Sequence, residues 1–418
     1  MAASLFLFHA DSRHGYALEP AATIFYRVGV DIAGGKPSGV HFGFQSLPGP
    51  ALGLPNDFEN VIAYDYSNRD AKNIRWLSDY VAKNKIQLVV IYDIQPVHPL
   101  FRSLRRSGVR SILSYWGAPI SSLMPLWKLA LKRTQIITSR SRVDGLIFQS
   151  KAMADLAIYG RGVPPKMIDV VYSGTDTSVF QPARSDYVYE ALKLPRDRKV
   201  LVYSGHMEPR KGVQTLVEAA IELLRNRKRE DVCFLICGNM GDESKPYEQL
   251  YAGLGLDGLI RFGGYRSDLA RIFPSCFCGV IPTSGWDSFP RSPLEMAASG
   301  LPVIASRLQG LTESVLDRQT GMLFEPGNAR ELADCIETLL DQPELAAEYG
   351  RRGRERCENE LSWENQRSRL QAVFLKRLGV AGLTRMDECG ISCDSPDPLQ
   401  GTAPSLRQPD FGQRDSSS

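Results

Sequence analysis

The feature that most constrains this chain is a series of short, continuously apolar runs separated by segments of helical period. The series runs through the first half and then starts again. In the first half the runs are SLFLFHA (4–10), GVHFGF (39–44), VIAYDY (61–66), LVVIYDI (88–94), RSILSYW (110–116) and GLIFQS (145–150). Helical stretches such as 69–85 separate most of them. The second series is KVLVYSG (199–205), VCFLICG (232–238), LIRFGGY (259–265), CGVIPTS (278–284) and PVIAS (302–306). An amphipathic helix is expected at 212–227, with further helices starting near Lys245, Arg266 and Ser292. Strands apolar at nearly every position are covered on both faces, and strand–helix alternation gives parallel sheets. The fold class expected is therefore α/β: two doubly wound halves facing a central cleft, with ligands beyond the carboxyl ends of the strands. The Gly-, Ser-, Thr- and Pro-rich stretch 171–187 marks the junction. We expect a first domain over 1–175, a second over 176–362, a helix over 363–379 packing back on the first, and a disordered tail over 380–418, which is polar and aperiodic.

At 418 residues the chain suits two to three domains, and a net charge of +3 gives no reason to expect nucleic acid as a partner. The N-terminus lacks a basic region before its short apolar run, and no window reaches the ~18 apolar residues of a membrane span. A cytoplasmic protein is expected. Most of the eight Cys sit in apolar runs, as small buried hydrophobes do in a reducing compartment; Cys389 and Cys393 lie in the polar tail without a neighbouring His, so no metal site is expected.

Two stretches carry candidate chemistry. In YSGHMEPRKGVQTLVEAA (203–220) a strand ends at Gly205 and a helix starts after Lys211 and Gly212, with His206 and Arg210 between. Glycine lets a ligand approach the backbone, and a helix start with a cation suits a diphosphate. The spacing is not that of a P-loop. The alternative is an ordinary strand–helix loop with solvated charges. In GWDSFPRSPLEMAASG (285–300) Asp287 lies in a loop and Glu295 in the following helix. Carboxylates accept hydrogen bonds from vicinal hydroxyls, so sugar and ribose are natural partners. The alternative is that Asp287 caps a turn and Glu295 pairs with a surface cation.

In this order the motifs resemble the retaining nucleotide-sugar glycosyltransferases of the GT-B fold, family 4. The family's second domain carries a G-x(6)-K-G loop, an acid and a Glu with seven residues between them, A-x-x-G-x-P-V, and then T-G. Here these are Gly205 to Lys211-Gly212, Asp287 to Glu295, AASGLPVIAS (297–306) and RQTGMLFEPGN (318–328). VVYSGTDTSVFQP (170–182) is similar to the family's hinge, through Gly174, Asp176, Phe180 and Pro182. The resemblance is specific over about 143–375; over 1–142 it rests on architecture.

The resemblance implies two Rossmann-like domains and transfer of a hexosyl group from a nucleotide-diphosphate sugar to an acceptor hydroxyl, with retention. Lys211, with His206 where the family usually has Arg, or Arg210 beside it, would neutralise the diphosphate. Glu295 would take the ribose and Asp287 the transferred sugar; together Lys211, Asp287 and His206 form the expected catalytic set. Backbone N–H groups after Phe289 usually hold phosphate, but Pro290 and Pro293 have none, leaving Arg291 and Ser292. The acceptor would bind the first domain, where Gly15, and Arg13 or His14, lie in the loop after the first strand; the family's Gly-Gly pair is absent there. Tyr115 and Trp116 stand where many members carry His, and Trp116 reads either as a stacking platform or as core. No cofactor or metal is implied, and no D-x-D sequence occurs.

From Ile94 to Val143 there is no Asp or Glu, while Arg102, Arg105, Arg106, Arg110, Lys128, Lys132, Arg133, Arg140 and Arg142 fall within the segment. The stretch 121–137 reads either as a core-facing helix with a solvated basic face or as a helix lying on an anionic membrane. The second reading carries the expectation of peripheral contact with the inner face of a membrane and a lipid-linked or phosphorylated acceptor; a glycan or small molecule is the other expected acceptor. Two further functional readings stand beside transfer: a non-catalytic sugar-nucleotide-binding partner of a transferase, and a sugar-nucleotide epimerase of the same fold. A dehydrogenase is disfavoured, because no G-x-G-x-x-G follows a strand.

Overall fold

The computed structural model describes residues 2–13, 15–120 and 123–380. His14, Ser121, Ser122 and the tail beyond Val380 lie outside the described residues, and with them the expectation of disorder there. In the first half the strands are β1 (Ala3–Leu7), β2 (Val40–Phe44), β3 (Val61–Ala63), β4 (Ile86–Tyr92), β5 (Ser111–Trp116), β6 (Gly145–Phe148) and β7 (Ile168–Val170). In the second they are β8 (Lys199–Ser204), β9 (Val232–Cys237), β10 (Ile260–Gly264), β11 (Cys278–Ile281), β12 (Val303–Ser306) and β13 (Gly321–Phe324). The sheet orders are β3-β2-β1-β4-β5-β6-β7 and β10-β9-β8-β11-β12-β13.

Both sheets are parallel. Leu5 of β1 lies opposite His41 and Val89, and Leu201 of β8 opposite Phe234 and Cys278. Strand order reverses at β1 and at β8, so each sheet opens a crevice at the carboxyl ends of these central strands. Side chains alternate across β5: Ile112 and Trp116 join the core beneath the sheet, whereas Leu113 and Tyr115 join the other layer. Trp116 is thus a core residue, stacked on Phe148 at 6.4 Å, and is not a ligand platform. Tyr115 meets Phe25 of the first helix edge-on at 5.0 Å.

Strands β7 and β13 have no counterpart among the expected strands. β7 has three residues with a charge in the middle, so no apolar run announces it; Asp169 is paired by Arg377 at 2.5 Å and Lys376 at 3.2 Å. β13 lies within the T-G segment. Several strands end earlier than their apolar runs, at Leu7, Tyr92 and Ile281, and the residues freed there form cleft loops. The helix expected near Arg266 starts at Leu269, and that over 212–227 becomes a π-turn from Glu222 to Asn226.

The chain crosses between the halves twice, and the crossings touch. Thr175 N–H donates to Leu361 O at 2.9 Å, and Trp363 N–H to Thr175 O at 3.0 Å. Helix Trp363–Leu378 then lies on the first half. Leu370, Phe374 and Leu378 enter the core beside Phe6 and Phe25, and Arg367 forks onto both oxygens of Asp31 at 2.7 and 2.5 Å. Each buried side chain of this size contributes about 1.5–3 kcal/mol.

Candidate functional site

Two loops of the second half are stitched into one wall. Lys211 sits in the 3-10 turn Pro209–Lys211, and Gly212 caps helix Val213–Ile221. The backbone of Gly212 is left-handed at φ 72°, and a Cβ there would lie 1.8 Å from the carbonyl oxygen of Pro282. Only glycine permits this approach. Ser284 and Gly285 N–H groups donate to the carbonyl of Arg210 at 2.8 and 3.0 Å. The chain after β8 therefore fixes the chain after β11.

The join brings Lys211 Nζ to 2.7 Å from Asp287 Oδ2, with both side chains largely buried. Thr283 Oγ1 donates to the same oxygen at 3.1 Å. Gln309 Oε1 accepts from Asp287 N–H at 3.2 Å, and Gly310 N–H donates to Asp287 O at 3.3 Å. A Cβ on Gly310 would lie 1.4 Å from Ser288 O, so the chain after β12 packs directly on the Asp287 loop. Arg210 is already engaged: its guanidinium lies 4.0 Å from the Trp286 ring centroid, donates to Trp286 O at 3.0 Å and pairs with Glu208 at 2.7 Å. Partial desolvation holds the pKa of His206 below its ordinary value; Glu208 opposes this, and Lys211 and Arg210 reinforce it. Near neutral pH the imidazole therefore offers a single N–H rather than a charge.

Helix Ser292–Ala298 starts beside this wall. Glu295 is buried within it, and Arg291 Nε lies 3.3 Å from its Oε1. Burial raises the Glu295 pKa, against the pull of Arg291. Phe289 is buried and stacks on Tyr172 at 4.9 Å.

Gly205, His206, Arg210, Lys211, Asp287, Phe289, Arg291 and Ser292 all line one cleft of about 400 Å³ between the halves. Glu295 does not line it; its carboxylate pairs with Arg291, which does. Gly15 opens helix Gly15–Ile32, whose Pro20, Ala21 and Ile24 form part of the opposite wall. Tyr92, Tyr115, Gly117 and Gln149 complete that wall. Gln149 Nε2 donates to Tyr115 Oη at 3.2 Å, and Ser288 Oγ donates to Gln149 Oε1 at 3.4 Å, spanning the cleft.

Tyr92, Gln149 and Trp286 were outside the sequence-based candidates. Tyr92 ends β4 and Gln149 follows β6, so a search of residues at strand carboxyl ends finds both. Beside them Asp93 has φ 53° and accepts from Gly117 N–H at 2.8 Å. Burial pushes its pKa up to about 7, with Gly117 and Ala118 N–H groups opposing.

Residues 189–356 match the family model for glycosyl transferases group 1. Among curated proteins, the D-inositol 3-phosphate glycosyltransferase of Corynebacterium efficiens is 30% identical over 230 residues, 53% of this chain and 54% of that protein. The chain spans about half the length of the curated relatives it matches. Among solved structures, a glycosyltransferase from Rickettsia africae ESF-5 superposes with TM-score 0.74 at 17% identity, covering 90% of this chain and 99% of that one. The Anabaena protein Alr3699/HepE in complex with UDP gives TM-score 0.71 at 17% identity, covering 89% and 99%. At these identities the structures carry the fold alone. Residues 189–356 thus resemble the glycosyl transferases group 1 family, within a chain of the GT-B fold.

Proposed function

We propose that the cleft binds a nucleoside-diphosphate sugar and that the protein is a retaining hexosyltransferase. The observation that carries this reading is the buried Lys211–Asp287 pair, set in an interdomain cleft between the Gly205 backbone and Ser292. An ammonium held beside a backbone that a ligand can approach suits a diphosphate. Asp287 beside it suits the hydroxyls of the sugar that diphosphate carries. The sugar nucleotide enters with its phosphates toward Lys211 and Ser292 and its ribose toward Arg291 and Glu295. Swinging Arg291 aside frees the Glu295 carboxylate for the ribose.

Lys211 then stabilises the leaving diphosphate electrostatically, with His206 donating one hydrogen bond. The acceptor hydroxyl attacks the anomeric carbon from the face the diphosphate leaves, and a departing phosphate oxygen takes its proton. No enzyme nucleophile and no metal is assigned, since the cation at the leaving group is a side chain. Tyr92, Tyr115 and Gln149 face the acceptor. The test is to incubate the purified protein with nucleotide sugars and acceptor glycosides and follow the anomeric proton by NMR. Transfer with an unchanged anomer supports the reading; an inverted product refutes it. Release of nucleoside diphosphate without a glycosylated product refutes transfer.

The acceptor proposed is a lipid-linked or cell-envelope glycan. Among the described residues no helix is long and apolar enough to cross a membrane. Helix Leu126–Thr138 nevertheless sends Leu129 and Ile136 inward and leaves Leu126, Trp127 and Leu131 exposed at 83%, 63% and 64%. Lys128 sits over the Trp127 ring at 5.3 Å. Apolar and basic groups on one exposed face, in a segment free of acidic residues, fit an anionic membrane surface. Co-sedimentation with phosphatidylglycerol vesicles is expected to be salt-sensitive and lost in a Leu126→Ser/Trp127→Ser/Leu131→Ser variant. Equal recovery with and without vesicles would overturn this.

A further inference from the structure

Outside the cleft lining, one side chain of the second half completes an element of the first. Helix Lys151–Arg161 starts just after the cleft residue Gln149, and like any helix it leaves its first N–H groups without intrahelical partners. Ser150 covers one of them: its Oγ accepts from Met153 N–H at 3.3 Å, while its carbonyl takes the first intrahelical bond, from Ala154 N–H at 3.1 Å. Two more, those of Lys151 and Ala152, are taken by Glu313. Its Oε2 accepts from Lys151 N–H at 2.8 Å and its Oε1 from Ala152 N–H at 2.7 Å. A carboxylate on two N–H groups at a helix start combines charge-assisted hydrogen bonds with the helix dipole.

Glu313 is held firmly on its own side. It lies in the single-turn helix Leu311–Ser314, whose carbonyls at Glu313 and Ser314 accept from Arg356 at 2.7 and 2.9 Å. Three residues earlier, Gly310 packs on the backbone of Ser288 and donates to Asp287 O. Tyr172, on the crossing segment, stacks on Phe289 of the same loop at 4.9 Å. The carboxylate and the Asp287 loop therefore form one body, and parting the halves uncovers two helix N–H groups while separating Ser288 from Gln149.

We propose that Glu313 is a positioning residue that holds the cleft closed, locking the Asp287 loop against Gln149. Its importance for transfer rests on the function proposed above; the latch itself is tested without any ligand. Hydrogen exchange and small-angle X-ray scattering are compared for the wild type, Glu313→Ala, Glu313→Gln and Lys151→Pro. The last variant removes one N–H at the first helical position, where proline is tolerated, and leaves Glu313 in place. Glu313→Ala is expected to speed exchange at residues 151–152 by ~10-fold or more, the scale of a charge-assisted hydrogen bond. It is also expected to speed exchange at 287–290 and to enlarge the radius of gyration. Glu313→Gln, with one acceptor oxygen, and Lys151→Pro, with one donor lost, are expected to fall between. Faster exchange confined to residues 151–152 at an unchanged radius of gyration would make Glu313 a local cap only and overturn the proposal. No change in either measurement would overturn it equally. Neither outcome would bear on whether the cleft binds a sugar nucleotide.

Discussion

Lys211 and Asp287 face one another 2.7 Å apart with their side chains 15% and 7% exposed, and this makes their pairing measurable without substrate. At an effective dielectric near 20, two charges at that distance attract by about 6 kcal/mol. Desolvation of both groups offsets much of this, so the pair's net worth over an apolar pair is small. Removing one partner is different, because a charge is left stranded. Lys211→Met leaves Asp287 with Thr283 as its side-chain donor and is expected to cost about 3–5 kcal/mol. Asp287→Asn strands the ammonium at a similar cost. The double variant removes both charges and is expected to recover most of the loss. The assay is chemical denaturation of all four proteins, read as a double-mutant cycle. A coupling energy of at least ~2 kcal/mol is expected. A coupling below ~1 kcal/mol, the range of exposed pairs, would refute the buried-pair reasoning.

Two further outcomes follow from the site. Asp287→Ala is expected to weaken sugar transfer more than nucleotide binding, and Glu295→Ala to weaken both, measured by product formation and calorimetry; unaltered transfer in Asp287→Ala would reduce Asp287 to a loop cap. Asp93 has a folded-state pKa raised to about 7 from an ordinary 3.8, so its contribution to stability is complete below pH ~4 and is lost as pH rises through 7. Asp93→Asn, which keeps an acceptor for Gly117 N–H, is therefore expected to raise the melting temperature more at pH 8 than at pH 5. An equal shift at both would show that the carboxyl does not titrate there.

The layered α/β halves were legible because their strands are buried on both faces and so appear as apolar runs. β7 was not, since Asp169 interrupts it and its partners come from the last helix, about two hundred residues away. The loops after β8 and β11 were legible because glycines and charges cluster where strands end. Their joining was not: it depends on backbone N–H groups of Ser284 and Gly285 reaching the Arg210 carbonyl, and any residue but proline has such a group. The pairing of Arg291 with Glu295 follows from i, i+4 spacing and could be read from the sequence, yet its consequence, a carboxylate screened from the cleft, could not. Trp116 and Tyr115 are both aromatic, and only the register of β5 sends one into the core and the other toward the cleft. Gln149 stands at a strand end and could be found there, but its contact with Ser288 could not, and Glu313 escaped because its partners, the N–H groups of Lys151 and Ala152, lie in the other half.

The central claim is that this cleft holds a nucleoside-diphosphate sugar through Lys211. The most direct measurement is calorimetric titration of a panel of uridine-, guanosine-, adenosine- and thymidine-diphosphate sugars into the wild type and into Lys211→Met/Asp287→Asn, the variant expected to stay folded. At least one donor is expected to bind the wild type with a free-nucleoside competitor far weaker, and to lose at least tenfold in affinity, about 1.4 kcal/mol, in the variant. Binding of no sugar nucleotide, or equal affinity in both proteins, would contradict the account.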